Sequence, residues 1–515
     1  MTDPQSWSKP FIIAVLGVLV VVFYATAAAH FSYTTDDSYI YFQYARSIAQ
    51  GDGPCFNAGD PSYGFTSPLW LLILSAGGAV GSDIPLLAKV LDLFFASLSI
   101  ILFFFVAIEL TRDVAVAFCA SLAFSVNAWL LRWAGSGLET SLAVLLLLVF
   151  FRYLLRNEYA VSAGALGLLT LVRPEASLLM GLLFWDLWIN SLSRGHAMRM
   201  AFRIVPIWLT IVLPWAIYAY AQFGSVLPAT FGAKRGGGFS PGDLAGTAAD
   251  IAKTLGSADG VAFAVLLASL VILVIRHRRS GGSPGDGPFL PFHQFRQSLV
   301  ALGWIVLLPL AYVLFSVNMV SRYLLLMTPF ALAMAFFYLY EILRERPPVL
   351  RYGLVLALTG FVMIQNQMLY TRYVTTHVRS FTEGMESCLM PMGRWLKENT
   401  PPETVIMTGD VGALGYFSQR TICDFNGIVS PGIDPPRRDN DGFTGLLRHR
   451  GWDRYCVPDY IVHRSARSEE LSDVPGLIPV MTRPFPGLSI SNPELVYFTL
   501  YRVDRTISEK LLTLR

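Results

Sequence analysis

Residues 11–29 run without a single charged side chain. About 20 consecutive apolar residues are what a helix needs to cross the hydrocarbon of a bilayer, so this one stretch already removes most soluble folds from consideration. Comparable runs recur at 84–110, 114–134, 141–156, 159–172, 176–190, 204–222, 258–275, 298–316, 323–343 and 352–370. Together they predict a polytopic α-helical membrane protein of about 11 transmembrane helices. Composition agrees: 54% of residues are hydrophobic and only 15% charged, where soluble domains carry roughly 25% charge. The near-balance of 39 basic and 36 acidic residues argues against a nucleic-acid partner. Five cysteines without CxxC spacing give no zinc or redox signature. Ala27-Ala28-Ala29 also fits a signal-peptidase site. The preceding apolar run exceeds the usual ~7–15 residues, which favours an uncleaved first span.

Charge placement sets the orientation. With a cytoplasmic N-terminus, and with the short run 69–80 lying at the interface rather than crossing, most arginines of residues 1–370 fall on the cytoplasmic side. The connections on the opposite side carry few bases: Arg46, Arg132, Arg173, Lys234, Arg235, Lys253 and Arg322. This solution divides the chain into a membrane domain, 1–370, and a tail, 371–515, on the extracytoplasmic face. The tail has ordinary charge density and Pro/Gly turns. Residues 404–407, 459–462 and 496–501 read as strands and 384–398 as a helix, hence a small C-terminal α/β domain. Cys388, Cys423 and Cys456 lie in it, and an oxidising compartment permits one disulfide whose pairing the sequence leaves open.

Five polar clusters fall on that same predicted face. Asp36 and Asp37 follow the first span. They either cap a helix over 40–50 or supply a general base. Glu139, in Ser136-Gly137-Leu138-Glu139-Thr140, and Arg173-Pro174-Glu175 sit at helix ends. There an acid favours the first turn and long side chains reach the interface. The loop 224–238 combines glycines with Lys234 and Arg235, a point charge and a bidentate fork suited to phosphate, without Walker spacing. Arg322 begins a span against the positive-inside bias and is a candidate anion partner. In the tail, Gly409-Asp410-Val411-Gly412 marks a strand-to-helix turn. Asp410 either caps that helix or reaches the membrane site. Lys89 and Asp92, three apart on one helix face, are placed to pair.

Several of these stretches share a pattern. The run Asp36-Asp37-Ser38-Tyr39 with Gly51-Asp52-Gly53 and Gly64-Phe65-Thr66-Ser67-Pro68-Leu69-Trp70 resembles the opening of GT-C glycosyltransferases. More narrowly it is similar to the actinobacterial terminal arabinofuranosyltransferase group. Gly137-Leu138-Glu139-Thr140, Arg173-Pro174-Glu175, Leu227-Pro228 with Lys234, Arg322-Tyr323-Leu324 and Gly409-Asp410-Val411-Gly412 continue the resemblance in order. After Pro228 the chain reads Ala229-Thr230-Phe231-Gly232, where relatives often carry Asn and Tyr. The resemblance implies a bacterial inner-membrane enzyme with a polyprenyl-phosphate-linked sugar donor. Its acceptor would be an extracytoplasmic hydroxyl of a cell-envelope glycan, lipid or protein, and transfer would invert the anomeric centre. By motif match the base is Asp36 or Asp37, with Asp36 favoured. Lys234, Arg235 and Arg322 would hold phosphate, while Glu139, Arg173, Glu175 and Asp410 would shape the substrate pocket. No cofactor is required; a divalent cation is compatible with the acidic pair but not demanded. The rival is a lipid or glycan transporter. It predicts mid-membrane polar residues and a pseudo-repeat; no internal repeat is evident.

Overall fold

A computed structural model describes residues 8–191, 193–230, 240–279, 292–430, 433, 442–448, 452, 456–490 and 494–504. In hydrocarbon every backbone N–H and C=O must be satisfied within the segment, so apolar runs fold as helices. Five described helices are long and apolar enough to cross a membrane: Lys9–His30, Ile84–Thr111, Arg194–Phe223, Pro241–Arg276 and Pro348–Asn399. Six further apolar helices of 10–17 residues, among them Pro68–Ala79, Thr140–Leu155, Tyr159–Thr170 and Thr328–Ile342, complete the bundle.

Two of the expected spans are interrupted for identifiable reasons. The run 114–134 is a helix Val114–Ser125 followed by a short one, Ala128–Trp133. Asn127 makes the break: its side-chain oxygen accepts from the backbone N–H groups of Trp129 and Leu130, capping a new helix. The run 323–343 begins as a single turn, Ser321–Leu324, before the helix Thr328–Ile342. The run 69–80 is a 12-residue helix, Pro68–Ala79, that buries Trp70, Leu71 and Leu74 and exposes Leu72. Beyond Leu369 the last long helix continues through π-helical turns at Tyr370–Val374 and Met385–Leu389 to Asn399. The tail thus starts as a rigid extension of a membrane helix.

A hairpin of β1 (Cys55–Asn57) and β2 (Asp60–Pro61) lies in the first loop. The tail sheet has β3 (Val405–Thr408), β4 (Thr421–Asp424), β5 (Tyr460–Ser465), β6 (Leu477–Phe485) and β7 (Val496–Val503), in the order β4-β3-β5-β7-β6. β3 is parallel to β4 and β5; β7 is antiparallel to β5 and β6. Successive strand residues face opposite sides. One face, with Ile406, Ile422, Val462, Phe498 and Leu500, joins the core that continues into the bundle. The other, with Met407, Cys423, Ile461 and Tyr501, packs around Trp452 and Leu471. A disulfide joins Cys423 to Cys456, and Cys388 is a buried free thiol.

The tail is seated on the first loop by backbone-directed contacts. Asn57 gives its amide N–H to Ile422 O at 2.9 Å and takes Ile422 N–H at 2.8 Å, so it covers edge strand β4 as a neighbouring strand does. Arg46 donates to Tyr416 O at 3.0 Å and lies 4.4 Å over its ring. Gly412 has no room for a side chain: a Cβ there would stand 1.9 Å from Asp36 O.

Candidate functional site

The first-loop helix Asp36–Gln50 starts at Thr35, whose hydroxyl accepts the Ser38 N–H. Ser38 Oγ in turn donates to Ser136 O at 2.8 Å, tying this helix to the loop that carries Glu139. Two charged residues inside the helix Ile84–Thr111 brace that arrangement. Lys89 Nζ donates to the carbonyls of Phe31 and Tyr33, at 2.6 and 3.2 Å. Asp92 accepts from Gly135 N–H at 2.9 Å and Ser136 Oγ at 3.3 Å. Each holds a loop, instead of forming the mutual pair their spacing suggested. Gly137 closes the turn at φ +85°, and a Cβ would come 2.9 Å from the Phe42 ring.

On this frame the two adjacent aspartates part company. Asp36 turns to the tail: its two oxygens accept the N–H groups of Gly412 and Ala413 at 3.0 and 2.8 Å. These are orphan donors of the tail helix Gly412–Ser418, so the cap comes from the membrane domain and not from neighbouring Asp410. Burial and the nearby Asp410 carboxylate push Asp36 up to about 7 against those two hydrogen bonds. Asp37 turns the other way, and Arg322 Nη2 donates to its Oδ2 at 2.6 Å. The Asp37 side chain is 52% exposed and that of Arg322 only 7%. Asp410 pairs with Arg464 at 2.7 Å. Burial raises the Asp410 carboxyl, and the charges of Asp36 and Asp37 reach it.

Behind this pair lies a second one. Arg173 Nη2 is 2.9 Å from Glu139 Oε1, both side chains 3% exposed, and Arg173 Nη1 is 3.8 Å from Glu175 Oε1. Tyr312 donates its phenol to Glu175 at 3.0 Å. Arg173 and Arg322 each lie 5.3 Å over the Tyr323 ring, which joins the two pairs into one cluster. Glu139 Oε2, Arg173 Nε and Arg322 Nε are buried without a hydrogen-bond partner. Orphaned polar atoms of this kind are costly and uncommon in a finished core.

Five sequence-predicted residues therefore meet: Asp37, Glu139, Arg173, Glu175 and Arg322. Asp36 and Asp410 stand beside them at the tail junction. Lys234 and Arg235 lie outside the described residues. The stem of their loop is anchored to the first loop, since Ala229 N–H donates to Tyr63 O at 3.0 Å. Sequence reasoning assigned no role to Arg132, Trp133, Tyr312 or His377. Arg132 alone carried a signal, as a base on the poorly charged face. Two open grooves lie elsewhere, about 520 Å³ lined by Glu403, Asp459, Tyr460 and Arg502, and about 370 Å³ lined by Ser32, Arg379, Glu383 and Glu386. Among the described residues no three His, Cys, Asp or Glu side chains converge as metal ligands.

A family described as a domain of unknown function (DUF8728) matches residues 376–501, which is most of the tail. No curated protein matches the chain.

Proposed function

We propose that this protein is a membrane glycosyltransferase of the GT-C type, which moves a monosaccharide from a polyprenyl-phosphate donor to an extracytoplasmic hydroxyl. The observation that carries this reading is the cluster itself. A half-exposed carboxylate, a buried guanidinium and a buried Glu139–Arg173 pair with the partly exposed Glu175 beside it come from four distant stretches, and orphaned donors are left among them. A site that removes a proton from an acceptor and receives a phosphate leaving group needs these groups.

Asp37 is the proposed base, because both oxygens of Asp36 are occupied by the tail helix. In the reaction the acceptor oxygen attacks the anomeric carbon and its proton passes to Asp37. The bond from that carbon to the phosphate oxygen breaks, and its electron pair leaves with the polyprenyl phosphate. Attack from the opposite face inverts the centre. Arg322 stabilises the departing phosphate, together with Lys234 and Arg235 of the glycine-rich loop. Glu139, Arg173 and Glu175 form the sugar-binding wall, and Asp410 borders the acceptor side. Preorganised charge in a low-dielectric pocket supplies such stabilisation without a metal.

The finer topology belongs to the same proposal: about 11 membrane segments in a bacterial inner membrane, with the cluster and tail on the periplasmic side. The Cys423–Cys456 disulfide supports that orientation, since disulfides persist in oxidising compartments. Purified protein supplied with polyprenyl-phosphate-linked arabinofuranose and an envelope glycan acceptor tests the reading. Release of polyprenyl phosphate that depends on both substrates supports it; vectorial movement of intact lipid without release would sink it.

A further inference from the structure

The cluster contains a cation that the mechanism above leaves unused. Arg132 is 6% exposed. Among the described residues no carboxylate lies within ion-pair distance of it. Its Nη1 donates to Ser321 Oγ at 3.3 Å and its Nη2 to His377 Nε2 at 2.9 Å, while Nε has no partner. A guanidinium only donates, so His377 Nε2 accepts and the imidazole is neutral. It offers no counter-charge. Among the described residues the charge of Arg132 is met only by the Trp129 and Trp133 rings, at 5.9 and 4.6 Å. A buried guanidinium with no carboxylate beside it is expensive, and a structural bracket between Ser321 and His377 does not require a charge.

Its placement suggests what the charge is for. Arg132 lies 4.6 Å and Arg322 lies 5.4 Å from the centre of the same Trp133 ring. Trp133 Nε1 donates to Ser321 Oγ at 2.9 Å, the hydroxyl that Arg132 also holds, and Ser321 directly precedes Arg322. We propose that Arg132 is a charge-supplying and positioning residue of the anion site: it fixes Ser321 and Trp133, and so Arg322, and adds a second positive charge behind them. When Asp37 takes the acceptor proton it becomes neutral, and Arg322 loses its carboxylate. Two guanidinium groups on one indole then face the departing phosphomonoester.

This inference rests on the lipid-phosphate reading, and one binding experiment separates the two. Full-length protein in nanodiscs of zwitterionic lipid is titrated with undecaprenyl phosphate and, in parallel, with undecaprenol. The expected wild-type result is at least about tenfold tighter binding of the phosphate form, as charge-assisted hydrogen bonds provide. R132Q is expected to shrink that preference about tenfold while undecaprenol affinity stays constant. A purely structural role weakens both ligands equally, and that result, or an unchanged preference, overturns the role of Arg132. A wild-type protein without any phosphate preference sinks the donor reading itself. If R132Q does not fold, R132K decides. It keeps the charge without the planar fork, so a severalfold fall in preference is expected from lost positioning, and an unchanged preference rejects the positioning role.

Discussion

The two ends of the helix bundle both carry arginine–glutamate pairs, and they treat them differently. At the end away from the tail, Glu109 receives Arg152 at 3.1 Å and Arg156 at 2.6 Å, with the arginine side chains 22% and 44% exposed. Nearby Asp113 caps the helix Val114–Ser125 and accepts the phenols of Tyr340 and Tyr352. These charges keep contact with solvent. At the tail end, Arg173 and Glu139 are both 3% exposed, and Arg132 is buried with no acid in ion-pair distance among the described residues. Solvated pairs cost and contribute little, whereas buried ones must overcome a large desolvation penalty. Orphaned atoms occur at both ends, Glu109 Oε2 among them, so it is the fully buried charge kept under that penalty that sets the tail end apart.

The sharpest way to test the contrast is at Asp37. D37N is expected to lower turnover of the lipid-phosphate-sugar by about 10²–10⁴-fold, the usual range for a general base. Retained turnover in D37N together with loss in D36N would move the base to Asp36. Next in size is Arg173. R173A strands the buried Glu139 carboxylate and is expected to cost about 3–5 kcal/mol in denaturant unfolding, much of it restored in R173M/E139Q. An R173A protein as stable as wild type would show that Glu139 is not held by this pair. Reduction of Cys423–Cys456, which closes a 33-residue loop, should cost the tail about 3–4 kcal/mol. Limited proteolysis would then cut the tail first and leave the bundle intact; simultaneous cleavage of both argues against separate stabilities.

Asp36 gives a smaller effect with a definite pH sign. D36A removes the cap of the helix Gly412–Ser418 and should cost about 1 kcal/mol. Because burial raises Asp36 to about 7, the folded protein binds its proton more tightly than the unfolded chain does. That stabilisation is complete below about pH 4 and is lost as pH rises through about 7. Tail docking is therefore expected to weaken from pH 5 to 8 in wild type and to change less in D36N; identical pH profiles for the two proteins reject this account. Smallest of all, R156Q at the solvated end should shift stability by no more than about 1 kcal/mol and leave turnover unchanged. A larger loss there would erase the difference between the ends.

Much of this was legible from local patterns. Apolar runs placed helices at the predicted positions, and short β-branched stretches placed β3, β5 and β7. Four strands were not read from the sequence: the short hairpin pair β1 and β2 in the first loop, and β4 and β6 in the tail. β6 carries Pro479 and Pro484, which demote a strand in sequence and are tolerated because β6 is the sheet edge. β4, Thr421–Asp424, has only two apolar residues, Ile422 and Cys423, and so lacks the apolar run that marked the equally short β3. Asn127 was read as part of a span, since one polar residue does not reveal that it caps a new helix.

Sequence alone determined that apolar helices build the molecule, because this follows from composition and period along the chain. It also determined that a turn and a helix follow the strand that ends at Thr408. Tertiary structure alone decided which of two neighbouring aspartates faces the tail and which faces Arg322. Adjacent residues on a helix point about 100° apart, and only the surrounding elements say what lies in each direction. It alone chose Cys456 as the partner of Cys423, and it alone placed Arg132 beside a neutral imidazole, with no carboxylate in ion-pair distance among the described residues. Pairing and desolvation are properties of space, and residues such as Arg132 and His377, 245 positions apart, become neighbours only after the chain has folded.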